Sequence, residues 1–450
     1  MIRLCINTQT PPLRLEELGG QRTPERISLE THAKSVGGVV PMMFSLLRTS
    51  AGKWVAPNPV WVSSGREGMA HEIVTEEGFR LDFVEVPSRV LPGYLRFKRE
   101  MWDAFHGISH FSFDNQDYLA FVEYSHLCAT KLLKFIDEVD AYYVNDFQQI
   151  QIGSLIGPVA PALLRWHIPF QLGGIPRPLR NFFLKSVEGF DAVVLSTRRE
   201  MEDLIRSGYR GRAYQIYPYI DVATVPQTTP NRSQEFRSRW KLGEGPVILM
   251  VARMDAQKRH DLALRAFARI RRRFPSAVLV LVGNGSFTAS QEARVQTKAG
   301  SASWKDQLQK LCRALRIEGS VRFAGYLNEE DIHAAYETCD VLVLPSIREG
   351  FGLVGIEAWL HRKPIVVSSG AGISELVIDG VNGYIAQSGS VEELSGALAQ
   401  VLRQPSLSEK MGEFGFNSAK QCHVDYASKR LRRIFTEVVE EYAPHKHPSR

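Results

Sequence analysis

The sequence predicts an α/β chain of two Rossmann-like domains with a C-terminal helix, and three observations predict it. Continuous apolar runs alternate with helix-patterned stretches through the second half. A less regular form of the same alternation runs through the first half. At 450 residues the chain exceeds one ordinary core, so two domains of about 200 residues each is the natural expectation.

In chain order, AYYVND (141–146), LLRWHIPF (163–170) and AVVLST (192–197) read as strands of a first parallel sheet. The stretch DVATVPQTTPNRSQ (221–234) is rich in Pro, Thr and Ser and reads as a linker. VILMVARM (247–254) then leads into a helix through Phe274, followed by AVLVLVGNG (277–285). Next come VRFAGYL (321–327), a helix near 329–338, VLVLPS (341–346), a helix near 353–362 and PIVVSS (364–369). Unbroken Val/Ile/Leu runs between helices are what a parallel sheet covered on both faces requires. The polar stretch 286–303 reads as a mobile insertion. A last periodic segment, 425–442, reads as a terminal helix before a frayed tail. The expected division is 1–225 as the first domain, 240–423 as the second, and 424–450 as terminal helix and tail.

Composition excludes several classes. Apolar residues at 44% and charged residues at 23% are globular values, so any disorder is local. The formal charge of +6 comes from 55 basic against 49 acidic residues, a small excess that permits an anionic ligand without demanding one. The densest basic run, Arg269 to Arg273, falls on an amphipathic helix with no interleaved aromatics, which argues against a nucleic-acid partner. Five scattered cysteines, with no CxxC or Cys/His cluster, read as free thiols of a reducing cytoplasm and not as a metal site. The N-terminal stretch lacks a signal-peptide pattern, and no apolar run approaches the roughly 20 residues that span a bilayer. Cytoplasmic localisation is expected, and a homo-oligomer is compatible with this composition.

The strongest chemical signal is PSIREGFGLVGIEAW, Pro345 to Trp359. A strand ends at Leu344, a glycine-bearing turn follows, and a helix starts near Leu353. N–H groups at such a helix start can bind an anion without a side chain, and Gly350 and Gly352 let backbone approach a ligand. Glu349 lies on the turn and Glu357 just over one turn into the helix, so both carboxylates can face one ligand. Alone, the pair would read as a turn residue and a solvated helix residue. Two other patterns are weak. Gly370-x-Gly372-x-x-Glu375 lacks the third glycine of a dinucleotide fingerprint. AGKW (51–54) lacks the remaining parts of a P-loop.

The whole string around Glu349-x7-Glu357 resembles the donor-binding motif of family 4 retaining glycosyltransferases, which have the GT-B fold, two Rossmann-like domains facing across a cleft. VARMDAQKRHD (251–261) resembles that family's strand–Arg–x4–Lys motif, giving Arg253 and Lys258. SSGAGISELVIDGVNGYIA (368–386) resembles its glycine-rich turn and closing Asp-Gly-x-x-Gly segment. VGGVV (36–40) resembles its N-terminal glycine loop, giving Gly37 and Gly38 beside the donor phosphates. The resemblance implies that Glu349 holds donor-sugar hydroxyls and Glu357 the ribose. It also implies that the backbone of Gly350, Phe351, Gly352 and Leu353 contacts sugar and phosphates. Arg253 and Lys258 would then stabilise charge growing on the departing diphosphate.

In the first half, YYVNDFQQIQIGSLI (142–156) followed by LRWHIPFQ (164–171) resembles the His-Asp-Tyr then His-Ile-Pro-Phe-Pro order of trehalose-6-phosphate synthases and other trehalose-forming transferases. This carries over Asp146 on the acceptor side and His167 near the donor sugar. YLRFKREMWDAFHG (94–107) resembles their aromatic acceptor stretch loosely, with a one-residue change of spacing, and adds Tyr94 and Trp102. The implied reaction is transfer of a hexose, glucose by this resemblance, from a nucleoside diphosphate sugar to a small sugar or sugar phosphate. No cofactor is implied, and without an Asp-x-Asp no metal requirement either. A lipid or glucan acceptor is the alternative within the family, and a non-catalytic nucleotide-sugar-binding protein the alternative outside it.

Overall fold

The computed structural model describes residues 1–13, 27, 38–48, 50–65, 72–222, 225, 230–283 and 303–442. Gly37, residues 286–302 of the expected insertion, and the tail 443–450 lie outside the described residues. Two compact units are present, Met1–Ile220 with the segment from Val424, and Asp221–His423.

In the first unit, eight strands are ordered β3-β4-β2-β1-β5-β6-β7-β8. They are β1 (Leu4–Thr8), β2 (Val60–Ser64), β3 (Glu72–Val74), β4 (Arg80–Val84), β5 (Ala141–Asn145), β6 (Ala162–Arg165), β7 (Ala192–Leu195) and β8 (Arg212–Gln215). All neighbours are parallel except β3 with β4. Side chains alternate between two cores. Cys5, Val62, Tyr142, Val144 and Leu164 pack with the helices Leu91–His106 and Asn115–Leu133. Ile6, Trp61, Tyr143, Leu163 and Val194 pack with Val39–Arg48 and the C-terminal helix Val424–Tyr442. The C-terminal helix is tied down there by polar contacts as well. Trp54 Nε1 donates to Ser428 Oγ at 2.7 Å, and the Tyr442 hydroxyl donates to the Gly157 carbonyl at 2.6 Å.

The second unit is a six-stranded parallel sheet, ordered β11-β10-β9-β12-β13-β14. Its strands are β9 (Val247–Val251), β10 (Val278–Val282), β11 (Val321–Gly325), β12 (Val341–Leu344), β13 (Ile365–Ser368) and β14 (Gly383–Ala386). Every residue of β10, β12 and β13 is buried, as a sheet covered on both faces demands. Local chemistry starts its helices. Asn328 caps Glu329–Thr338 by accepting from the Asp331 N–H, and Ser303 and Asp306 form a capping box for Trp304–Leu315. Both sheets end their strands beside the residues singled out above. Asp146 and His167 follow β5 and β6, Arg253 follows β9, and Glu349 follows β12.

Candidate functional site

In the second unit, the loop after β9 turns at Asp255, whose side chain accepts from the Gln257 N–H, and this starts the short 3-10 turn Ala256–Lys258. Lys258 leaves that turn and its Nζ donates to Glu349 Oε2 at 2.5 Å. Ser346 Oγ donates to the same oxygen at 3.1 Å. The Glu349 side chain is 16% exposed and that of Lys258 15%. Burial would raise the Glu349 carboxyl, but the Lys258 ammonium, the Ser346 hydroxyl and Arg253 hold it below the usual range. The backbone of Glu349 is pinned in turn. It bridges to Ala371, with its N–H on the Gly370 carbonyl. That approach requires glycine, since a Cβ at 370 would lie 1.8 Å from the Ile347 oxygen.

Gly352 caps the helix Leu353–Leu360 at φ 103°, a left-handed geometry that favours glycine. In the helix's first turn the Gly355 N–H donates to the Gly352 carbonyl at 3.0 Å, and the N–H groups of this turn carry the positive end of the helix dipole. Gly350 and Phe351 are buried, while Gly352 and Leu353 are partly exposed at this start. Glu357, on the same helix, accepts from the Tyr336 hydroxyl at 2.5 Å. Burial raises the Glu357 carboxyl and Tyr336 lowers it in part. Tyr336 stacks on His361 at 5.4 Å, and His361 is hydrogen-bonded to His333 at 2.8 Å. Arg253 is 41% exposed and lies 3.6 Å from Asp255.

In the first unit, Asp146 and His167 come together although 21 residues separate them. The His167 N–H donates to Asp146 Oδ1 at 3.2 Å, and its Nε2 lies 3.0 Å from Asn145 Oδ1. Burial pushes the Asp146 carboxyl up to about 7, against backbone donors that favour its ionised form. The His167 imidazole is held well below its ordinary range by burial and by Arg165. Arg165 is fully buried, and its Nη1 donates to the Leu195 carbonyl at 3.3 Å. Among the described residues, its Nε and Nη2 have no hydrogen-bond partner. Trp102 stacks on His106 at 3.9 Å and stands 5.9 Å from the ring of Phe147, the residue after Asp146. Tyr94 does not share that neighbourhood by exposure. Expected as an acceptor contact, it is 1% exposed and stacked at 3.8 Å on Tyr124. Helix Leu91–His106 turns position 94 into the core, so its ring serves packing. Gly38 is exposed just before the helix Val39–Arg48.

Residues 232–418 match the family model for glycosyl transferases group 1. The matched region lies within the second unit. The chain is 29% identical over 269 residues to D-inositol 3-phosphate glycosyltransferase of Corynebacterium aurimucosum, covering 59% of this chain and 61% of that protein. It therefore spans about three fifths of the length of the curated relatives it matches. Among solved structures, the α,α-trehalose-phosphate synthase of Burkholderia xenovorans in complex with glucose-6-phosphate superposes with a TM-score of 0.75. Identity is 15%, with 96% of this chain and all of that one covered. HepE of Anabaena in complex with UDP gives a TM-score of 0.69 at 16% identity, covering 97% of this chain and 100% of that one. These likenesses show that the chain has the GT-B fold.

Within the matched region, Arg253, Lys258 and Glu349 lie on loops or turns that follow parallel strands, and Glu357 lies just over one turn into the helix that follows β12, at the end of the sheet where such folds bind ligands. Sequence reasoning passed over Ser346 and Tyr336, which hold the two glutamates. Ser346 lies inside the segment Pro345 to Trp359. Tyr336 has no local signal, because only packing between helices brings it to Glu357. In the first unit Asn145 and Arg165 were passed over in the same way. Among the described residues, no group of three His, Cys, Asp or Glu side chains is placed to hold a metal, and no helix is long and apolar enough to cross a membrane. All five cysteines are buried and unpaired.

Proposed function

We propose that this chain is a retaining glycosyltransferase that moves a hexose, glucose in our reading, from a nucleoside diphosphate sugar to a small sugar or sugar-phosphate acceptor. The observation that carries the reading is the Lys258–Glu349–Ser346 cluster beside the helix start at Gly352, inside the region that matches the group 1 family model. A fixed ammonium and a ring of backbone donors suit a diphosphate whose charge grows as it leaves. The depressed Glu349 carboxylate suits acceptance of sugar hydroxyls. Arg253 would share the diphosphate charge, and Glu357 would take the ribose. His167 and Asp146 would serve the sugar and acceptor side, with Trp102 as an aromatic neighbour.

A trehalose-type product is our reading, supported by the Asn-Asp and His-Ile-Pro-Phe order. The inositol-phosphate relatives favour a second reading, a cyclitol phosphate acceptor. The test is product detection by mass spectrometry across UDP-, ADP- and GDP-sugars, with glucose, glucose 6-phosphate, inositol phosphate and a polyprenyl phosphate as acceptors. Transfer to glucose or glucose 6-phosphate, undiminished by exhaustive EDTA, is expected. Transfer to inositol phosphate alone selects the second reading. Transfer to the polyprenyl phosphate alone rejects both. No product from any pair, with nucleotide sugar bound, would leave a non-catalytic binding protein.

A further inference from the structure

We propose that Asn145 is a positioning residue that fixes His167 in its neutral Nε2–H tautomer and so presents Nδ1 as a bare hydrogen-bond acceptor. The part of this that concerns turnover rests on the transferase reading above; the tautomer itself does not.

Asn145 ends β5 and is 2% exposed. Its Nδ2 donates to the Asn7 carbonyl at 3.1 Å and to the Tyr143 carbonyl at 3.0 Å. Carbonyl oxygens only accept, so the amide nitrogen has to face them. The opposite flip would set oxygen against oxygen twice in a buried place, at the cost of two hydrogen bonds. With the flip settled, the atom 3.0 Å from His167 Nε2 is the amide oxygen. An amide oxygen also only accepts, so Nε2 must carry the hydrogen. A neutral imidazole has one N–H, which leaves the lone pair on Nδ1. The alternative tautomer would bring two lone pairs together at 3.0 Å.

Two further features keep the ring neutral and still. Arg165, two residues earlier in the chain and paired in register with Asn145, sets a buried positive charge close to His167 and disfavours imidazolium. The backbone N–H of His167 is held by Asp146. A group that bonds to Nδ1 must therefore bring a hydrogen. A hydroxyl meets that condition and a carboxylate does not.

The experiment uses the full chain labelled with 15N-histidine and long-range 1H–15N correlation, which distinguishes the two tautomers of each ring. The chain has 12 histidines, so the His167 pattern is assigned by its loss in His167→Gln. We expect a protonated Nε2 and a bare Nδ1 in the wild-type chain. Asn145→Leu removes the acceptor and should give mixed tautomers. In transfer assays, Asn145→Leu should lower kcat by roughly 10- to 100-fold with little change in donor KM. An Nδ1–H or averaged pattern in the wild-type chain overturns the proposal, as does an unchanged pattern in Asn145→Leu. The expected spectra without transfer from any donor would uphold the tautomer and sink the transferase reading instead.

Discussion

Asp146 holds a backbone geometry, φ 73° and ψ 171°, that L side chains rarely adopt. Its carboxyl is also pushed up to about 7 by burial. Both costs fall on one residue beside His167, and such costs cluster at functional sites. A carboxyl raised on folding contributes stability that is fully present below its unfolded value near 3.8 and is lost as pH rises through about 7. Asp146→Asn should therefore raise the melting temperature at pH 8 and leave it nearly unchanged at pH 4, while transfer falls. Calorimetry at the two pH values checks this, and an equal shift at both would remove the burial argument. Lys258 and Glu349 present the opposite case, a matched pair little exposed to solvent. Lys258→Ala leaves Glu349 charged without its main partner, and should cost about 3 kcal/mol in denaturant unfolding and on the order of 10² to 10³ in turnover. The double change Lys258→Met with Glu349→Gln should recover most of the stability and none of the activity. Loss of stability without loss of turnover would mean that the pair is only structural.

Between elements, helices Glu329–Thr338 and Leu353–Leu360 meet through the hydrogen bond from Tyr336 to Glu357. The second helix has only eight residues, too short to hold its own orientation by intrinsic helicity. Its placement comes from Gly352 at one end and from Trp359, fully buried with Nε1 on the Asn382 carbonyl. Glu357 is thus carried by a well-anchored helix, and Tyr336 selects the rotamer of its carboxylate. If Glu357 holds the ribose, Tyr336→Phe should raise the KM for the nucleotide sugar roughly tenfold with a smaller effect on kcat, the scale of one hydrogen bond to a charged group. Steady-state kinetics with varied donor checks this. A changed kcat at constant KM would place Tyr336 elsewhere in the reaction.

At the scale of the whole chain, the last helix belongs to the first unit although it follows the second in sequence. Val424, Leu431, Ile434, Phe435 and Val438 are buried in the core that also holds Trp54 and Tyr143. At about 1.5–3 kcal/mol for each fully buried apolar side chain, this helix contributes as much as the net stability of an ordinary domain. A chain ending at His423 should lose the cooperative unfolding transition of the first unit while the second unit melts as before. Two-transition calorimetry would show this, and two intact transitions would contradict it.

The second sheet was legible in the sequence because each of its central strands is buried on both faces, which leaves an unbroken apolar run such as VLVLV or VLVL. The turn and helix of the Glu349 motif were legible for a related reason, since their glycines and carboxylates are close in sequence. β8, RAYQ, has no such run because it lies at the sheet edge with three of its four residues only partly buried. The short β1 and the strands beside it, β2 to β4, also went unread, and part of the chain between them lies outside the described residues. Composition and periodicity therefore determined two α/β domains and their order, while Arg253, Lys258, Glu349 and Glu357 were singled out by the resemblance of their motifs to a known family. Tertiary structure alone decided that the terminal helix completes the first unit, that Tyr94 is core, and that Tyr336 and Ser346 orient the glutamates. It also decided that Asn145 faces His167 across 3.0 Å. The physical reason is range. Burial and turn chemistry act on neighbours along the chain and leave a pattern in it, whereas a hydrogen bond between strands or helices is set by packing and leaves none.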